Sequence, residues 1–157
     1  MSSPPKPQPS LDQLQRYAEL FTNSTTLKNF GVRLAFPDLS TVEVLLDPIK
    51  DQHRGGLGTD AVNGGVLAAI FDLAIGCTPA LLDPTRRNAT VHLSMNFMRA
   101  LRGDTLVARS KIDRAGELLV FASAQILDEK GVLCATCTGM VRISDLPWVS
   151  GESPAIN

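Results

Sequence analysis

The longest apolar run in the chain, residues 63–82 (NGGVLAAIFDLAIGCTPALL), is broken by a single acid, Asp72. Asn63 is a favoured N-cap residue and Pro79 cannot continue a helical hydrogen-bond ladder, so the run predicts a helix of about four turns. A helix apolar around most of its circumference lies in a protein core or in lipid, and lipid disfavours a central carboxylate by a few kcal/mol. The pattern therefore predicts a soluble core helix. Upstream, Leu11, Leu14, Tyr17, Ala18 and Phe21 recur at helical spacing and predict a short amphipathic helix packed on the domain edge. Residues 30–37 and 41–47 read as two strands around the turn PDLS. Residues 48–62 form a polar, Gly-rich loop leading into the central helix, a candidate for substrate contact.

Beyond the helix the period changes from helical to two. Val91, Leu93, Met95 and Phe97 alternate with Thr90, His92, Ser94 and Asn96, which predicts a strand. RGD at 102–104, RAGE at 114–117 and DEKG at 128–131 introduce TLVARSKI, LLVFASAQIL and VLCATCTGMVRI, expected as antiparallel hairpins. Strands, one long helix and four further strands predict an α+β protein in which an antiparallel sheet wraps that helix.

Composition narrows the class. A chain of 157 residues, 44% hydrophobic and 20% charged, suits one globular domain, expected over residues 11–145 between a disordered lead-in (1–10) and a tail (146–157). Fifteen Lys and Arg against 16 Asp and Glu offer no electrostatic reason for a nucleic-acid or membrane partner. MSSPPKPQPS lacks the apolar stretch of a signal peptide, and an odd set of cysteines, Cys77, Cys134 and Cys137, implies no disulfide framework; both lead to a cytoplasmic expectation.

Candidate chemistry centres on Asp72. An ionised group is seldom buried without a partner or a task, so three readings compete: a functional carboxylate, a hydrogen-bonded structural acid, or part of an exposed stripe. Cys134 and Cys137 form a CxxC, yet within a strand such residues point to opposite faces, and no second pair completes a zinc site. His53 and His92 belong to no HExxH, and the GxSxG, GxGxxG and P-loop patterns are absent.

Two glycines followed after six residues by an acid, then TVHLSMNFMRAL and RGDTLVARS, resemble the hotdog-fold acyl-CoA thioesterases of the phenylacetate-degradation type, over residues 29–143. The resemblance implies a hotdog fold, hydrolysis of an acyl-CoA to free acid and CoA with neither metal nor cofactor, and a homodimer or homotetramer. It assigns Asp72 as the catalytic carboxylate, Gly64 as the backbone amide polarising the thioester carbonyl, and Thr90 as an assisting hydroxyl. Where the family has a His before the glycines, this chain has Asn63, and Leu57 replaces an upstream Asn. Asn63 caps a helix and donates hydrogen bonds but carries no proton. A hotdog domain that binds an acyl ligand without turnover is the alternative; a dehydratase is weaker, its His-containing signature being absent.

Elementary chemistry bears on the same positions. The first amides of a helix are unpaired donors at the positive end of its dipole, where an oxyanion is stabilised. Gly65, Ala69, Asp72 and Gly76 fall on one face as a stripe of small residues that admits a thin pantetheine arm, or simply allows close packing. Thr90 is equally an ordinary strand residue. Arg86, Arg87, Arg99 and Arg102 lie near strand ends, and Arg99 and Arg102 are the candidate contacts for CoA phosphates. Gly64 and Asp72 stand about 12 Å apart along one helix, beyond the reach of one thioester, so two antiparallel helices in a homodimer are expected to share each site.

Overall fold

The structure is a computed structural model that describes residues 7–147. Helix α1 (Leu11–Thr22) starts at a capping box, in which Ser10 Oγ accepts the Gln13 amide at 3.2 Å and Gln13 Oε1 accepts the Ser10 amide at 2.9 Å. Pro9 is buried, so the last residues of the expected lead-in belong to the fold; residues 1–6 lie outside the described residues, as do 148–157 of the expected tail. A second helix, α2 (Thr25–Phe30), was not foreseen. It is too short to show a period, and only its Ser24 cap and the left-handed Gly31 that ends it (φ 70°) mark it. The expected first strand consequently begins later, as β1 (Val32–Ala35), followed by β2 (Val42–Leu46).

The central helix, α3, spans Gly64–Gly76, and a 3-10 turn over Thr78–Leu81 takes the place of the expected fourth turn. Thr78 donates its hydroxyl to the Ile75 carbonyl at 2.7 Å and Pro79 has no amide to offer, so the ladder tightens and stops. Strands β3 (Arg86–Phe97), β4 (Leu106–Ala115), β5 (Leu119–Asp128) and β6 (Leu133–Pro147) follow. All pairings are antiparallel, in the order β1-β2-β4-β5-β6-β3. RAGE and DEKG close the β4–β5 and β5–β6 hairpins as expected. The RGD turn corrects a third: β3 pairs with β6 at the far edge, and the segment after it crosses the end of the sheet to place β4 beside β2. A turn motif reports that the chain reverses, not which strand receives it.

The sheet curls around α3, burying Leu67, Ile70, Phe71, Ala74 and Ile75 against Val42, Val44, Leu46, Ala108, Ala122, Ala124 and Ile126. Each large side chain so buried contributes about 1.5–3 kcal/mol. The alanines keep strand and helix close, and Gly139 closer still: a Cβ there would stand 2.8 Å from Ile75 Cγ2. Ser110 ties β4 to the helix by donating to the Ala74 carbonyl at 2.6 Å. Gly64–Leu81 is apolar and long enough by composition to cross a membrane, yet in this fold its core face is covered by the sheet.

Candidate functional site

With one face of α3 buried, the opposite face carries Gly65, Ala69, Asp72 and Gly76. Asp72 is exposed and makes no hydrogen bond or ion pair among the described residues, so the hydrogen-bonded structural acid finds no support. It stands in a cleft of about 300 Å³ formed by Phe21 of α1, Leu73, Gly76 and Cys77 at the end of α3, and Asn88, Ala89 and Thr90 of β3. The sequence alternation places Thr90 on the face opposite Leu93 and Met95. A β-bulge after Thr90 reverses that locally: Thr90 pairs with Val141 and His92 with Met140, leaving Val91 unpaired and exposed. Thr90 therefore turns toward the helix, close enough that a Cβ on Gly76 would stand 3.1 Å from its Oγ1. Asp72 and Thr90 share one cleft. A larger groove, about 490 Å³, is lined by Arg109, Lys111, Gln125 and Thr138 but includes neither an acid nor a helix terminus.

The other end of α3 is built from backbone. Asn63 Oδ1 accepts the Gly65 amide at 2.7 Å, and the Asn63 carbonyl accepts those of Val66 and Leu67 at 3.0 and 3.1 Å. The Gly64 amide is left without an acceptor among the described residues, and a Cβ at Gly64 would meet nothing within 4 Å. An unpaired amide on an open helix N-terminus is a ready donor to a partial negative charge. Asn63 is itself held, its amide donating to the His53 carbonyl at 2.9 Å. His53 is buried; its Nδ1 accepts the Lys50 amide at 2.9 Å, leaving the proton on Nε2 to reach the Phe30 carbonyl at 2.8 Å. That histidine is an anchor for the loop rather than a free base.

The loop between His53 and Asn63 is stapled to the RGD turn. Arg54 donates to the Asp60 carbonyl at 2.7 Å and to the Gly103 carbonyl at 3.0 Å, and Arg102 Nε meets Asp60 Oδ1 at 2.7 Å. The Arg102 guanidinium holds the Asp60 carboxyl below the usual carboxylate range. Arg102, expected at a phosphate, thus already has a carboxylate partner. Arg99 is exposed, whereas Arg86 is engaged by the Ser144 carbonyl at 2.8 Å and Asp145 at 2.7 Å. At the loop tip Leu57 is fully exposed with φ 59°, an uncommon backbone for a branched residue. Gly64 and Asp72 remain about 12 Å apart along the axis, so one chain does not bring them together.

All three thiols are free and buried. Burial pushes Cys77 up to about 12, with Tyr17 donating its hydroxyl to Sγ at 4.0 Å. Cys134 and Cys137 are raised as well, chiefly by burial, which keeps both protonated at neutral pH. The expected opposite faces for this pair do not hold, because Cys134 occupies a bulge between Leu133 and Ala135 and both thiols end up buried. Among the described residues no three His, Cys, Asp or Glu side chains are grouped so as to hold a metal ion. Phe21, Asn88 and the His53–Arg54 framework were not anticipated; the apolar stripe of α1 flagged Phe21 as packed, without indicating against what.

A six-stranded antiparallel sheet curled around one long helix defines the hotdog class, and the chain has that fold. Residues 60–135 match the model of the thioesterase superfamily. A protein of Thermoplasma acidophilum named "Putative esterase" is 23% identical over 121 residues, covering 77% of this chain and 89% of that one. Among solved structures, a Shewanella oneidensis protein related to the thioesterase superfamily superposes with a TM-score of 0.76 at 22% identity, covering 85% of this chain and 96% of its own. The PaaI protein of the phenylacetic acid degradation operon of Escherichia coli gives 0.74 at 18% identity, with coverages of 88% and 99%.

Proposed function

We propose that the protein hydrolyses an acyl-CoA thioester to the free acid and CoA, using Asp72 as the carboxylate and the Gly64 amide as the oxyanion donor. The observation that carries the reading is an exposed carboxylate on α3 with no structural partner, set in a cleft beside the Thr90 hydroxyl of β3, while the N-terminal amide of the same helix is also open. As the thioester carbonyl is attacked its oxygen gains negative charge, and a fixed amide at a helix N-terminus stabilises that charge more than the neutral ground state. Asp72 either removes the proton from the attacking water or attacks the carbonyl carbon itself; in both routes the sulfur departs with the C–S bonding pair and is protonated as the CoA thiol, and in the second the resulting mixed anhydride on Asp72 is cleaved by water to the free acid, restoring the carboxylate. Thr90 orients the water or the carboxylate. The small-residue face of Gly65, Ala69 and Gly76 admits the pantetheine arm, and Arg99, exposed near the strand end, meets the phosphates. The three free thiols and a CoA substrate suit the cytoplasm.

The active unit of this proposal is a homodimer, itself able to pair into a tetramer. A carbonyl within about 3 Å of the Gly64 amide cannot also meet Asp72 of the same helix, whereas a two-fold axis perpendicular to α3 sets two copies of the helix antiparallel and supplies Asp72 from the second copy. The long edge strand β3 supports this, with one side unpaired and Val91, Phe97 and the adjacent Met98 exposed at 52%, 54% and 59%. Release of free thiol from a panel of acyl-CoAs tests the activity; tight binding without thiol release selects the acyl-binding alternative. The shared site is tested by refolding Asp72→Ala together with Gly64→Pro. Each parent is expected to be inactive, and proline at the first helical position removes the amide with little cost to the helix. In a mixed dimer one site collects both lesions and the other neither, so hydrolysis returns. Confirmed heterodimers that stay at the parental background would refute the shared site.

A further inference from the structure

We infer that Phe21 of α1 is a specificity-determining residue that limits the length of the acyl group, and that the cleft beside Asp72 takes a short, uncharged acyl chain. This rests on the proposed thioester reading of the same site. Phe21 is the sole contribution of α1 to the cleft, which Leu73, Gly76 and Thr90 also line. Its ring is backed rather than free to swing. Tyr17 stacks on it with centroids 5.0 Å apart and planes 22° apart, and Tyr17 is braced edge-on by Phe36 at 5.9 Å. The Tyr17 hydroxyl is buried against Cys77 Sγ at 4.0 Å, which locks the ladder to the end of α3. An acyl chain that fills the cleft therefore meets a ring held in place by Tyr17 and Phe36. The cleft, at about 300 Å³, lies at the small end of ligand pockets.

Charge selects as well. The one ionised side chain lining the cleft is Asp72, and no cation lines it among the described residues. A second carboxylate on the acyl chain would be desolvated beside a like charge with no counterion, so dicarboxylic monothioesters are rejected.

The test uses CoA thioethers, which bind but cannot be hydrolysed, with straight chains of increasing length, alongside turnover of the matching thioesters by the full-length protein. In the wild type, affinity rises about fourfold per methylene, as for burial of a CH₂, up to a limit and then stops. Phe21→Ala moves that limit to chains several carbons longer, Phe21→Trp moves it to shorter ones, and Phe21→Tyr leaves it in place. A thioether ending in a carboxylate binds at least tenfold more weakly than its neutral counterpart of equal length. An unchanged limit in both Phe21→Ala and Phe21→Trp, each shown folded by its melting transition, overturns the role of Phe21; equal binding of charged and neutral chains overturns the charge selection. Chain-length-dependent binding with no turnover of any thioester sinks the hydrolase reading while leaving this one standing, and failure to bind any thioether overturns this one.

Discussion

The two ends of α3 are built on opposite principles. At the N-terminus the group proposed to act is a backbone amide, and its surroundings leave it open: Asn63 caps the next amide, the His53 carbonyl holds Asn63, and Arg54 and Arg102 staple the loop. Eight residues on, the group proposed to act is a side chain, Asp72, and what surrounds it comes from distant parts of the chain: Phe21 from α1, Asn88 and Thr90 from β3. The first end is capped locally by Asn63 and stapled several times over to the RGD turn. The second is assembled, and a shift in any one of three elements alters it.

Each end can be broken separately. The largest effect is expected from Asp72→Asn, which keeps the shape of the cleft and removes the basic oxygen; kcat for thiol release should fall by about 10²–10⁴-fold, with an unchanged thermal midpoint. Retention of near wild-type turnover would end the proposed mechanism. Gly76→Ala probes assembly: the new Cβ would press on Thr90 Oγ1 at 3.1 Å while alanine favours the helix. Activity should drop about tenfold with no loss of thermal stability, and a parallel loss of both would mean that packing, not placement of Thr90, had failed.

The side-chain end also carries a pH signature. Cys77 is pushed up to about 12 in the folded protein, against 9.0 for an ordinary thiol. The unfolded chain therefore loses that proton first, so the contribution is intact below pH 9 and decreases by about 1.4 kcal/mol per pH unit as pH rises from 9 toward 12. Urea unfolding between pH 8 and 10.5 should show the slope, and Cys77→Ala should flatten it; a slope that persists in full assigns it to another group, the buried Tyr17 hydroxyl being the nearest candidate. The smallest effect is expected at the capped end, where Asn63→Ala should cost about 1 kcal/mol in urea unfolding by freeing the Gly65 amide. A loss several times larger would show that the cap also holds the loop.

Much of the fold was legible because it is written in local periods. The apolar run from Asn63 announces α3, the alternation after Thr90 announces β3, and RAGE and DEKG announce two hairpins. Asp72 stands out for the same reason, as the single charged residue of that run. The RGD turn was misread as a hairpin because partner choice is made by the sheet as a whole: β2 offers β4 an open edge, and β6 offers one to β3.

What the sequence by itself determined is the long helix, the strands with a clear period and the place of the lone acid on α3, since caps, periods and a lone charge act over a few residues, whereas α2 was too short to show a period. What only the tertiary structure decided is which groups meet. The bulge at Val91 turns Thr90 toward Gly76, and the docking of α1 brings Phe21 to the cleft. Burial on all sides raises Cys77. Each of these depends on contacts between residues far apart in the chain, where no spacing along the sequence encodes a distance in space.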